Sequence, residues 1–292
     1  MTLPEQTIQE CLTARKNCVL FDHPNRGVIE VQGPDRTQFL HNILTNDIKA
    51  LAPGKGAPAC LLNAQAKLIA NVNVLCFDEF VWLALDYTLK DKLLESLKKM
   101  VIMEQVELVD RSDEFKLISV HGPKAKEPVE TVLKKDLPPT LLSHMTVTVG
   151  SVLVTCIRIN LTGETGYGLL ASKDNALQIR GMLEEMGAIL GLRTIQLSTL
   201  ETLRIEAGIP RYGIDFDESH IPLEARLDTS ISFTKGCFPG QEILARLDSR
   251  GGVSKKLMGL VLKGETVPRK NDRILRNGKE VGQITSGVSH PS

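Results

Sequence analysis

ACLLNAQAKLIANVNVLCFDEFVWLALDY, residues 59–87, reads as three strands in immediate succession: ACLLNA, LIANVNVLCF and VWLALDY. An amphipathic helix, LKDKLLESLKKM, follows at residues 89–100 with its basic residues toward the end, where the helix dipole favours them. Strands grouped together and then a helix mark an α+β unit, not a doubly wound sheet. Upstream, residues 7–20 carry a helical pattern, and GVIEVQG (27–33) alternates apolar and polar like a half-buried strand. A helix is expected in GPDRTQFLHNILTNDI, with Asp35 placed to cap it and Phe39, Leu40, Ile43 and Leu44 on one apolar face. APGKGAP (52–58) breaks that helix.

The pattern repeats after Val109. A strand is expected at FKLISV, a helix near Pro123–Lys135, strands around VTVGSVLVTCIRI and YGLLAS, and a helix at Asp174–Gly187. Two α+β subdomains of similar build result. A helix over Leu192–Gly208 ends at AGIP, whose proline cannot continue it. The tail then changes character: KKLMGLVLK and DRILRNGKEVGQIT read as short antiparallel strands, with Asn277-Gly278 as a type I′ hairpin turn. A small β barrel or sandwich is expected there, with an unfinished edge because the sequence stops at SHPS straight after a strand.

With 292 residues and 42% hydrophobic content, the chain has material for more than one core. Lysine plus arginine equals aspartate plus glutamate at 35 each, so no overall field draws the protein to nucleic acid or anionic lipid. The N-terminal MTLPEQTIQECLTARKN lacks signal or transit character, and no apolar stretch reaches membrane-spanning length, which predicts a soluble, cytoplasmic chain. The six cysteines are scattered without a CxxC pair, as reduced thiols are, not as a disulfide framework or zinc site.

In KGCFPGQE (235–242), Gly236 and Gly240 permit backbone conformations other residues resist, and Phe238-Pro239 disfavours helix at Cys237. Two readings stand: a turn whose cysteine packs, or an exposed thiol whose pKa the neighbouring Lys235 lowers, with Gln241 and Glu242 adding a polar setting. GETGYG (163–168) lacks the lysine-serine ending of a P-loop, so it reads as a turn with Tyr167 as an aromatic surface for a planar ligand. IDFDESHIPLEARLD (214–228) holds five carboxylates and His220, but not in calcium-loop register, and reads as a solvated loop. ARLDSRGGVSKK (245–256) is a basic loop without interleaved aromatics, so direct RNA binding is not expected.

KGCFPGQEILAR, together with GPDRTQFLHNILTNDIKALAPGKG, GETGYG and LRIEAGIPRYGIDFDESHIPLEARL, resembles the YgfZ-type folate-binding proteins, relatives of the glycine-cleavage T-protein, an aminomethyltransferase. The resemblance spans nearly the whole chain. It implies an α+β, three-domain ring around a folate site. Residues 1–62 and 109–240 would form a discontinuous folate-binding domain, 63–108 an inserted domain, and 241–292 a C-terminal antiparallel β barrel that is cut short. Asn63, Asn71, Tyr167, Arg204, Gln241 and Glu242 are the folate-binding residues it implies, and Cys237 with Lys235 the reactive pair.

Three departures shape the function this resemblance implies. Ala70 and Asn71 stand where T-proteins carry paired acids, the second of them catalytic, and an amide cannot ionise to hold a cationic nitrogen. Gly168 stands where a glutamate hydrogen-bonds the pterin, which weakens the expectation of tetrahydrofolate or another folate as ligand. Ala66 replaces a glycine in the same region. The reading is therefore an auxiliary protein, not a classical enzyme, that assembles or repairs iron–sulfur clusters and indirectly supports cluster enzymes, including those modifying tRNA. Its partners would be folate and cluster proteins, with no membrane and no permanent metal. Cys237 would be a transient cluster ligand completed by a partner, because one thiolate cannot hold a cluster alone. The alternative is a tetrahydrofolate-dependent, aminomethyltransferase-like one-carbon transferase or demethylase.

Overall fold

A computed structural model describes residues 4–249, 251–264 and 266–289. The first half runs α1 (Glu5–Lys16), β1 (Val19–Asp22), β2 (Arg26–Gln32), α2 (Arg36–Ile43), β3 (Gly56–Leu62), β4 (Leu68–Cys76), β5 (Val81–Asp86), α3 (Lys90–Met100) and β6 (Glu107–Asp110). Next come β7 (Phe115–His121), α4 (Lys126–Leu133), β8 (His144–Val149), β9 (Val152–Ile159), β10 (Gly166–Ser172) and α5 (Lys173–Ile189). The chain closes with β11 (Arg193–Thr194), α6 (Leu197–Glu206), α7 (Gln241–Ser249), β12 (Arg273–Arg276) and β13 (Lys279–Gln283).

Strand alternation decides what each sheet face meets. The first sheet, ordered β3-β4-β5-β2-β6, is antiparallel throughout. Its Ile29, Val31, Val72, Val74 and Leu83 pack beneath Phe39 and Leu40 of α2 and Leu93 and Leu97 of α3. Its other face presents Val28, Leu75 and Trp82, which pack on Ile157, Ile159 and Leu170 of the second sheet. Burying each such side chain contributes about 1.5–3 kcal/mol, so this apolar seam holds the two sheets together.

The second sheet, ordered β11-β1-β7-β10-β9-β8, buries one face under α4 and α5 through Leu20, Ile118, Val120, Leu169, Val129, Ile179 and Leu183. Its other face meets the first sheet and, through Val19 and Phe21, also Leu200 and Leu203 of α6. The fold is α+β, as the strand grouping predicts.

Four expectations need correction. The segment 192–208 is not one helix: Arg193 and Thr194 pair in parallel with Val19 and Leu20, and Ile195 N–H donates to Leu20 O at 2.9 Å, so α6 starts at Leu197. The boundary drawn between residues 62 and 63 falls inside the hydrogen-bonded β3–β4 hairpin, so the first sheet takes strands from both sides of it. The start of the expected basic loop is helical, since α7 runs to Ser249 on a buried Leu244; Arg250 lies outside the described residues. KKLMGLVLK forms no strand, and Met258 and Val261 are exposed, so among the described residues the C-terminal part pairs only β12 with β13. There the type I′ turn is present, with φ of 52° at Asn277 and 75° at Gly278. The final residues 290–292 lie outside the described residues.

Candidate functional site

The cysteine loop is held in place by its neighbours in sequence, not by its polar residues. Phe238 is buried with Ala66, Leu68, Phe216 and Leu244. Gly240, at φ +80°, lies so close to the β3–β4 turn that an added Cβ would sit 2.7 Å from Ala66 Cα. Only glycine meets both demands. Ala66 itself has φ +59°, a left-handed conformation that glycine adopts at lower cost. Between these anchors Cys237 is exposed, while Cys11, Cys18, Cys60, Cys76 and Cys156 are all buried. Burial pushes the thiols of Cys11 and Cys18 up to about 11 and those of Cys60 and Cys156 to about 12. Cys237 is thus the accessible thiol of the chain.

Lys235 does not serve that thiol. Its ammonium is buried and donates to the carbonyls of His41 and of Leu44, the latter at 2.6 Å, where α2 ends. It acts as a C-cap, filling carbonyls the helix leaves unpaired. Gln241 and Glu242 occupy the first turn of α7 with no side-chain hydrogen bond among the described residues, so they do not orient the loop. Asn63 is a turn residue: its Oδ1 accepts from the N–H groups of Gln65 at 3.0 Å and Lys67 at 2.9 Å.

Asn71 lies elsewhere, on the face of the first sheet that meets the second. It shares that face with Asn73 and Leu75, and its amide makes no hydrogen bond among the described residues. Arg26 and Asp86, paired across β2 and β5, stand on the same face beyond Val28 and Trp82. On the opposing sheet, an added Cβ at Gly168 would meet Leu117 Cδ1 at 3.0 Å and Ile159 Cδ1 at 3.2 Å, so apolar carbon fills the space of the expected glutamate. Tyr167, one residue earlier, points the other way into the core under α4 and α5, with the Arg158 guanidinium 5.4 Å from its ring. It offers no stacking surface at the seam, which corrects the sequence expectation.

Arg204 is likewise committed. It is buried and pairs with Asp215 and with Glu201 at 2.9 Å, while Asp215 accepts from Thr285 and Ser286. It lines a cavity of about 700 Å³ between α6 and the C-terminal tail, but its donors face the pairs. A buried His23–Ser119–His121 chain, at 2.7 and 2.9 Å, sits on the inner face of the second sheet. Burial, then Arg26, holds His23 well below the ordinary histidine range, and burial takes His121 to about 3. Both are neutral at physiological pH. Among the described residues no group of three or more His, Cys, Asp or Glu is placed to hold a metal, and no helix is long and apolar enough to cross a membrane.

The expected residues therefore divide between the cysteine loop and the sheet seam. Arg26 was not anticipated from sequence; its signal was its period-two relation to Val28 and Glu30.

Comparison with known proteins agrees with this architecture. The GCVT N-terminal domain model matches residues 2–235. An aminomethyltransferase of Halothermothrix orenii is 32% identical over 286 residues, covering 98% of this chain and 80% of that protein. One from Bacillus subtilis is 28% identical over 279 residues, covering 94% and 76%. The crystal structure of the glycine cleavage system aminomethyltransferase T from Bartonella henselae superposes with a TM-score of 0.86 at 21% identity, over 100% of this chain and 80% of that one. On the match over most of its length, the chain belongs to the GCVT N-terminal domain family.

Proposed function

We propose that this protein binds tetrahydrofolate and takes part in T-protein-like one-carbon transfer. The observation that carries the reading is the similarity, along 98% of this chain, to a protein named aminomethyltransferase, together with a sheet seam that keeps polar groups unpartnered among the described residues beside apolar surface. Leu117 and Ile159 offer a flat ring apolar contact, and the Asn71 amide can both donate to and accept from a pterin edge. These residues fit a folate, with the carboxylate contact at 168 replaced by packing. When bound, tetrahydrofolate supplies the nitrogen that carries the one-carbon unit. Asn71 orients that group without changing charge, and the seam residues keep water from it. We place the C-terminal hairpin in the small antiparallel domain of a three-domain ring.

A second reading rests on a specific pair of observations: the exposed Cys237 and the neutral Asn71. Under it the protein is a YgfZ-type cytoplasmic auxiliary that uses Cys237 on iron–sulfur clusters held with a partner, supporting cluster enzymes such as those modifying tRNA. Turnover separates the two. One-carbon transfer to tetrahydrofolate by the wild type, raised in Asn71→Asp, is the result expected of a transferase. Binding without transfer in either protein sinks the transfer reading, and rescue of a cluster-deficient strain by wild type but not by Cys237→Ala then selects the second.

A further inference from the structure

The face that carries Asn71 also carries a cation that makes no hydrogen bond or ion pair among the described residues. Arg26 opens β2 and is partly buried. Among the described residues its guanidinium has neither a hydrogen bond nor an ion pair. The acid whose charge acts on it, Asp86, accepts from Thr88 N–H at 3.1 Å and Oγ1 at 2.8 Å, and faces Arg211 at 3.8 Å. Arg211 in turn is taken by Glu201 at 2.7 Å. Buried Arg204 is supplied by Glu201 and Asp215, and partly buried Arg111 and Arg180 by Glu30 and Asp22. Burial disfavours the charge on Arg26, and the neighbouring Arg211 adds to that. Yet a guanidinium cannot shed its proton, and a desolvated charge without a partner is expensive to hold.

The position makes the cost intelligible. Arg26, Asp86 and Asn71 project from three neighbouring strands, β2, β5 and β4, onto one face. Adjacent strands lie about 4.8 Å apart, so Arg26 and Asn71 stand about 10 Å from one another across β5, with Asp86 between them. With the Asp86 carboxylate engaged by Thr88 and Arg211, the guanidinium at 26 is, among the described residues of this face, the charge left to take an anionic group of a ligand. A planar carboxylate matches the two-pronged donor set of arginine.

We propose that Arg26 is a ligand-binding residue that takes a carboxylate of the bound small molecule in a bidentate pair, on the face where Asn71 stands. The carboxylate comes either from the glutamyl end of a folate or from a free carboxylic acid; the first source rests on the folate reading above. The test uses the whole chain as wild type, Arg26→Gln and Arg26→Lys. Titration calorimetry with 5-formyltetrahydrofolate addresses the first source, and thermal shift in sodium succinate against sodium chloride of equal ionic strength addresses the second.

Loss of a charge-assisted pair should weaken 5-formyltetrahydrofolate binding by about tenfold or more in Arg26→Gln, with partial recovery in Arg26→Lys. If the wild type binds no folate, the folate reading fails; succinate stabilising the wild type and not Arg26→Gln then still supports the carboxylate site. Equal behaviour of wild type and Arg26→Gln toward both ligands overturns the proposal. The unliganded variant supplies an independent readout: relieved of an unpaired charge, Arg26→Gln should melt at or above the wild type. Melting well below it would assign Arg26 to the fold and also overturn the proposal.

Discussion

Lys235→Met distinguishes a helix cap from a thiol activator. Methionine keeps an apolar stem but removes both donors from the carbonyls of His41 and Leu44 and takes the ammonium from beside the Phe238 ring. Two hydrogen bonds from a charged donor contribute about 3–6 kcal/mol. Burial opposes the charge, pulling the Lys235 pKa from 10.5 to about 8, and offsets about 3 kcal/mol of that gain. The substitution should therefore cost up to about 3 kcal/mol, or up to about 8 °C in melting temperature for a chain of this length. The pH dependence has a definite sign. Between about 8 and 10.5 the unfolded chain binds more protons than the folded one, so the wild type gains stability as pH rises through this window. The deficit of Lys235→Met should widen there. Thermal unfolding at pH 7 and pH 9.5 measures both effects, and maleimide labelling of Cys237 in native protein provides the control. An unchanged melting temperature combined with slower labelling would refute the cap and return Lys235 to the thiol.

Native protein should present one rapidly alkylated thiol and five that react only on denaturation; two or more fast thiols would show that a buried cysteine is accessible. Gly240→Ala forces a Cβ onto Ala66 at φ +80°, which should cost at least about 2 kcal/mol and loosen the Cys237 loop, read as a lowered melting temperature with altered labelling rate. Glu30 is buried, which alone would raise its pKa, but hydrogen bonds from Trp82, Gln32 and Arg111 outweigh this and hold the carboxyl below its ordinary value. Its stabilising effect is present above pH 4.5 and lost as pH falls through the lowered folded value, so Glu30→Gln should melt lower near neutrality and lose less on acidification than the wild type.

Strand content was legible because alternation is a property of the strand itself: ACLLNA, LIANVNVLCF and VWLALDY each fill one sheet face with the residues their pattern predicts. The segment Leu192–Gly208 was not, because its opening residues take their conformation from β1, a partner far away in sequence. KKLMGLVLK shows the converse: apolar residues supply a strand's composition, but a strand forms only where a ladder accepts its backbone. Adjacency misled the site assignment twice. Lys235 and Cys237 are two residues apart yet serve different places, and Tyr167 and Gly168 point to opposite sides of β10. Arg26 escaped notice because lacking an ion-pair partner among the described residues is a tertiary property that no motif records.

We propose that a folate binds in the seam between the two sheets, at Asn71. Calorimetric titration of the whole chain with 5-formyltetrahydrofolate, comparing wild type, Asn71→Leu and Cys237→Ala, tests it most directly. The account predicts one saturable site per chain, weakened by Asn71→Leu and unchanged by Cys237→Ala. Absence of binding, or binding that survives Asn71→Leu and is lost with Cys237→Ala, contradicts it.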